Sequence, residues 1–177
     1  VYALVNYVKS IEKLESANNL AKTIAKAVQQ AESIGDKRAQ SYALGYLGHI
    51  YEETQQLKSA EKLTEKALML AQTSNAPDIA YRWEWQLGRL FKEQKNFVKS
   101  IAKYDSAVKT LDSIRNDLVA SNLDIQFSFR ESVEPIYREF VSLLLTPETG
   151  ETSQENIQKA RQVIESLQLA ELDNFFN

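Results

Sequence analysis

Apolar positions recur at helical spacing along most of the chain. Leu44, Leu47, Gly48 and Tyr51 step by three, one and three, and Leu57, Ala60, Leu63, Ala67 and Leu70 continue the same periodicity. Each group falls on one face of a helix. A short polar stretch, "ETQQ", separates the two groups, and "EQKN" holds the same place in the next copy of the pattern. The pattern predicts pairs of amphipathic helices joined by tight turns. Only five glycines and three prolines occur in 177 residues, which implies few turns and long helices.

The pairs repeat. "YLGHIYEETQQLKSAEKLTEKAL" from Tyr46 is answered forty residues later by "QLGRLFKEQKNFVKSIAKYDSAV" from Gln86. At that offset Ala27, Ala67 and Ala107 coincide, as do Ile24, Thr64 and Tyr104, and Leu47-Gly48 matches Leu87-Gly88. A fixed period of this length is the signature of a helical array. Start signals agree with the division. Asn96 can cap a helix opening at Phe97, Pro77 suits a first helical turn, and "TSQE" from Thr152 to Glu155 has capping-box spacing. Pro135 forces a kink or restart near Ser132. A glycine inside a helix costs about 1 kcal/mol against alanine, so Gly48 and Gly88 need a packing reason. Close approach of Gly48 to Ala60, and of Gly88 to Ser100, would supply it. Trp83, four residues before Leu87, is expected in the core, and Ala160, Ile164 and Leu167 are expected to share one face of the last helix.

Leu-Gly, an aromatic three residues on, then a small residue and Ala resembles the tetratricopeptide repeat (TPR). This chain departs from that repeat's period of about 34 residues with helices longer by over a turn. The resemblance implies an all-α, TPR-like α-solenoid of about eight helices. Three helix pairs are expected at 1–36, 37–75 and 76–115, then a C-terminal helical pair at 116–177. "FRESVEPIYREFVSLLL" with "ARQVIESLQLAELDNFF" resembles the junction preceding the caspase-like CHAT domain of bacterial, notably cyanobacterial, TPR–CHAT proteins. The chain opens on Val1 and stops in the apolar stretch "LDNFFN", so it is read as a segment of a longer protein. Any His/Cys dyad of a caspase-like domain would follow Asn177.

Composition narrows the chemistry. Net charge is −3 with both signs interspersed, which argues against a nucleic-acid binder that needs a basic stripe. There is no cysteine and one histidine, His49. That rules out disulfides, thiol catalysis and a multi-histidine metal site within the chain. Its surface carboxylates alternate with lysines, as Glu61, Lys62, Glu65 and Lys66 do, and read as a solvated face. No cofactor, metal, catalytic residue or enzyme activity is expected in these residues. The longest apolar run is too short to span a bilayer, no signal peptide is visible, and the expected location is cytoplasmic.

What remains is recognition. In TPR stacks one face of the first helix of each pair lines the concave surface. Carried onto this chain, that face is Tyr2, Val5, Lys9 and Glu12, then Tyr42, Gly45, His49 and Glu52, then Arg82, Trp85, Arg89 and Lys92. The candidate ligand-binding residues are Tyr42, His49, Arg82, Trp85, Arg89 and Lys92. The last four can clamp a carboxylate and stack on an apolar or aromatic group. TPR clamps for chaperone tails use a Lys/Asn set, and Gly45 and His49 depart from it. Leu169, Leu172, Phe175 and Phe176 crowd the last helix too fully for one buried stripe, and predict docking of a downstream domain or a homodimer contact. The expected function is a scaffold for a protein or peptide partner, with no nucleic-acid or membrane partner. A peptide-pheromone sensor with a closed pocket around Trp85, or a structural oligomerisation module, are the alternatives.

Overall fold

The structure, a computed structural model, describes residues 1–121, 133–146 and 153–176. The described residues form eight helices and no strand. In chain order these are α1 (Tyr2–Ile11), α2 (Ala17–Ser33), α3 (Lys37–Glu53), α4 (Leu57–Thr73), α5 (Pro77–Glu93), α6 (Phe97–Ser121), α7 (Glu134–Leu145) and α8 (Gln154–Phe176). From α2 to α6 every helix begins twenty residues after the one before it. The forty-residue period in the sequence is therefore two equal half-repeats, each a helix of 17 residues and a turn of three.

The four turns share one backbone solution. The middle residue of each, Gly35, Gln55, Asn75 and Lys95, is left-handed, with φ of 69°, 58°, 49° and 59°. In the first turn the Gly35 N–H donates to the Glu32 carbonyl and the Asp36 N–H to the Ala31 carbonyl, and the other three repeat this pair of bonds. This Schellman arrangement satisfies the orphan carbonyls of each helix end, and its last residue serves directly as N-cap of the next helix. Asp36 accepts from the Ala39 N–H at 2.9 Å and Asn96 from the Lys99 N–H at 3.2 Å, while Pro77 opens α5.

The chain divides into two compact units, Val1–Ser100 and Ile101–Asn177. The expected division at 115 falls inside α6, which runs on to Ser121. In the first unit each helix packs on the next, and α1 with α3 and α3 with α5 also touch. That is solenoid-like packing of consecutive pairs. Val5, Val8, Ile24 and Leu47 belong to one buried cluster and Leu68, Trp83, Leu87 and Phe91 to another, with Val28, Tyr42, Tyr51 and Leu63 packed against both. Each such side chain contributes on the order of 1.5–3 kcal/mol on burial.

Close joints set the spacing. A methyl group added at Gly48 would lie 2.6 Å from Thr64 Oγ1, 2.9 Å from Gln86 Nε2 and 3.3 Å from the Ala60 carbonyl. One added at Gly45 would lie 2.3 Å from carbons of the Trp83 ring. Ser100 donates its hydroxyl to the Gly88 carbonyl at 2.8 Å. Polar groups buried at these joints are satisfied in chains. Trp83 Nε1 donates to Ser41 Oγ at 3.0 Å, which donates to the Ala67 carbonyl at 2.7 Å. Gln86 Nε2 donates to Thr64 Oγ1 at 2.7 Å and to the Gly45 carbonyl at 3.2 Å.

In the second unit Tyr104 stacks on Phe140, with centroids 5.7 Å apart, and donates its hydroxyl to Glu139 at 2.8 Å. Pro135 lies in the first turn of α7, so it starts a helix, and Ser132 falls outside the described residues. Two expectations for α8 change. Ser153, one residue later than the capping box implied, caps it through the Asn156 N–H at 3.0 Å, and Thr152 lies outside the described residues. Ile164 is exposed, and Val163 takes its place in the core beside Ala160 and Leu167. By helical spacing Ile164 sits about 70° from the centre of that stripe.

The turn geometry can be tested at Lys95. A left-handed residue other than glycine costs about 1 kcal/mol, so Lys95→Gly should raise stability by about 0.5–1 kcal/mol in urea unfolding. Lys95→Val should lower it; equal midpoints for both variants would contradict the assigned backbone.

Candidate binding face on α1, α3 and α5

Positions forty residues apart in sequence, such as Tyr2 and Tyr42, come into register across α1, α3 and α5. The Tyr2 and Tyr42 rings are 5.3 Å apart, and Tyr42 is 6.4 Å from Trp83. Lys9 donates its ammonium to the Tyr42 hydroxyl at 2.8 Å and lies 4.9 Å and 5.2 Å from the Tyr42 and Tyr46 ring centroids. Tyr46 donates its hydroxyl to Glu12 at 2.9 Å. Burial, then the Glu12 carboxylate accepting that bond, push the Tyr46 phenol well above its usual range. On the rim, Arg38 pairs with Asp78, again forty residues away.

A row of charges follows. His49 Nε2 is 3.5 Å from Glu12 and His49 Nδ1 is 3.6 Å from Glu52. Glu52 also takes the fork of Arg89, Nε at 2.8 Å and Nη2 at 3.0 Å, and the Arg89 guanidinium lies 4.4 Å over the Trp85 ring. The Glu52 side chain is 11 % exposed. Burial pushes its carboxyl up, but the His49 ring 3.6 Å away and the hydrogen bonds from Arg89 outweigh that and hold it below the usual range.

All six candidate residues, Tyr42, His49, Arg82, Trp85, Arg89 and Lys92, are half-buried. The structure joins His49 to Arg89 through Glu52, and Arg89 to Trp85. Arg82 lies 5.4 Å from the Tyr81 ring. Arg89 is thus already committed to an internal carboxylate. Two other positions on the expected face serve packing: Val5 is fully buried, and Gly45 seats Trp83, which is itself buried as expected. Tyr46 belongs to the polar row and was missed, because nothing local in the sequence links it to Glu12, 34 residues away. At the other end of the face a cavity of 460 Å³ is lined by Glu12, Glu15, Leu20, His49, Ile50 and Glu53, among others. It does not include Trp85.

On α8, Leu169 and Leu172 are 53 % and 52 % exposed, and Ile157 and Ile164 are 45 % and 41 % exposed. Phe175 and Phe176 lie in the last turn of that helix, and their side chains fall outside the described residues. Among the described residues no cluster of three or more His, Cys, Asp or Glu side chains could hold a metal. No described helix is long and apolar enough to cross a membrane.

No protein-family model and no curated protein matches the chain. Among solved structures it is similar to BtubC (BKLC) from P. vanneervenii, at 13 % sequence identity. The match covers 92 % of this chain and 72 % of that one, with a TM-score of 0.56. At that identity the likeness concerns the fold alone, a helical repeat-like architecture.

Proposed function

We propose that this chain is a TPR-type interaction module, the recognition arm of a larger protein, which holds a peptide or protein segment against the face formed by α1, α3 and α5. The observation that carries the reading is the half-buried set Arg82, Trp85, Arg89 and Lys92 on one face of α5, in line with Tyr42 and His49 on α3. Aromatic and arginine side chains of this kind are the usual anchors of protein interfaces. In this reading, which the resemblance of its last two helices to a TPR–CHAT junction supports, a caspase-like domain would lie downstream of this arm and ligand capture would bias it.

A second contact is favoured by α8, which exposes Ile157, Ile164, Leu169 and Leu172. This surface would receive the downstream domain, or a second copy of the chain when that domain is missing.

The first reading is tested on an array of overlapping synthetic peptides. Wild type should retain a subset, and the triple variant Arg82→Ala, Trp85→Ala, Lys92→Ala should lose it by about tenfold or more in Kd with helicity intact. Equal retention by the variant would remove the face from the account. For α8, light scattering should show wild type heavier than its 20.2 kDa at high concentration, and Leu169→Glu with Leu172→Glu at the monomer mass. A monomeric wild type would contradict a contact between copies.

A further inference from the structure

On the face formed by α1, α3 and α5, several charges already have partners. Arg38 of α3 pairs with Asp78 of α5, and Lys9 of α1 donates its ammonium to the Tyr42 hydroxyl. Arg89 of α5 holds Glu52 of α3 through two bonds, at 2.8 Å and 3.0 Å. Arg82 and Lys92 differ. Both are half-buried, and among the described residues neither pairs with a carboxylate; Arg82 lies against the Tyr81 ring. Partial burial of a cation costs solvation that a carboxylate partner offsets. These are the two places on α5 where an incoming carboxylate gains most.

Their placement is regular. Steps of three, four and three put Arg82, Trp85, Arg89 and Lys92 within an arc of about 80° on α5. Lys92 follows Arg82 by about 15 Å along the helix axis, and Trp85 and Arg89 lie symmetrically between them. There the Arg89 guanidinium covers the Trp85 ring at 4.4 Å. Its charge is met by Glu52, whose side chain is 11 % exposed, so the middle of the row is a flat, neutralised stack. A carboxylate arriving there would meet the Glu52 carboxylate as well as the guanidinium, and like charges set side by side are costly. An aromatic or apolar side chain meets only the stack. The row reads cation, neutral stack, cation.

We propose that the ligand of this face is an acidic segment laid in extended form along α5, with two carboxylates four residues apart and an aromatic or apolar side chain midway between them. An extended chain advances about 3.3–3.6 Å per residue, so four residues nearly match the separation of the two cations, and the long Arg82 and Lys92 side chains take up the rest. The outer carboxylates meet Arg82 and Lys92, and the middle side chain packs on the stack of Trp85 and Arg89. Glu52 is the residue that makes the middle place neutral. The inference rests on the binding reading of α1, α3 and α5 and names the ligand chemistry of that face.

The probe is a displayed synthetic peptide with the core Glu-Ala-Phe-Ala-Glu, together with its substitution series. Wild type should retain the core, and glutamine at either outer place should weaken retention about tenfold. A peptide of the same composition with its two acids side by side should be lost, and so should one with glutamate in the middle. Arg82→Gln and Lys92→Gln should each remove the dependence on one outer acid and keep the other. Glu52→Gln should regain the peptide with glutamate in the middle, whereas Glu52→Asp should not; a Glu52 that served stability alone would change all peptides equally. Should Glu52→Gln fold poorly, the Arg82→Gln and Lys92→Gln comparisons decide by themselves. Retention indifferent to the outer acids, or equal for the rearranged peptide, would overturn the inference. Peptides of other chemistry that are retained, and then lost by the triple variant Arg82→Ala, Trp85→Ala, Lys92→Ala, would overturn it and leave the binding face standing. No peptide retained through the face would overturn both.

Discussion

Everything in the first unit depends on how closely α3 lets its neighbours approach. Its surface carries glycine where α5 lays an indole ring against it, at Gly45, and glycine again where Thr64 and Gln86 converge, at Gly48. Absence of two side chains brings the backbones near enough for the polar groups between them to satisfy one another. Ser41 can then accept from the Trp83 N–H and donate its hydroxyl to the Ala67 carbonyl, and Gln86 can reach both Thr64 and the Gly45 carbonyl. With larger residues at these places, the helices would stand apart and the same polar groups would be buried without partners.

The proposed binding face is a consequence of that spacing. Once α3 is packed on both flanks, the stripe holding Tyr42, His49 and Glu52 is brought alongside its forty-residue equivalents on α1 and α5. Contacts across the stripe then form between residues distant in sequence, such as Glu52 with Arg89 and Lys9 with Tyr42. The face is therefore internally paired. Under the proposed reading a ligand reaching Arg89 would share it with Glu52, while Arg82 and Lys92 frame the same stripe of α5 by helical spacing. All six residues are half-buried.

The helices, their pairing and several joints were legible in the sequence because each had a local cause. Asn96 and Pro77 sit where cap chemistry puts them, Trp83 follows the apolar period into the core, and Gly48 meets Ala60 as its small size implied. The turns were legible in position but not in geometry. Gln55 and Lys95 carry no preference for the left-handed backbone they adopt; that conformation is imposed by the bonds of the helix end and the start of the next helix. Gly45 shows a second limit. Helical register alone sets it on the face, and only the long-range arrival of Trp83 makes it a seat. The commitment of Arg89 to Glu52 spans 37 residues, and no local pattern encodes it. On α8, Ile164 and Val163 are adjacent apolar residues, and which one turns inward depends on how that helix is rotated against α7.

The most direct test of this account is the unfolding free energy of Gly45→Ala. By helix propensity alone the change should stabilise α3 by about 1 kcal/mol. The account predicts the opposite, a net loss of about 1–3 kcal/mol, because the new methyl group must displace the Trp83 ring from a packed core and break its bond to Ser41. A variant as stable as wild type, or more stable, would show that the indole does not rest on Gly45 and would contradict the close joint on which the rest is built.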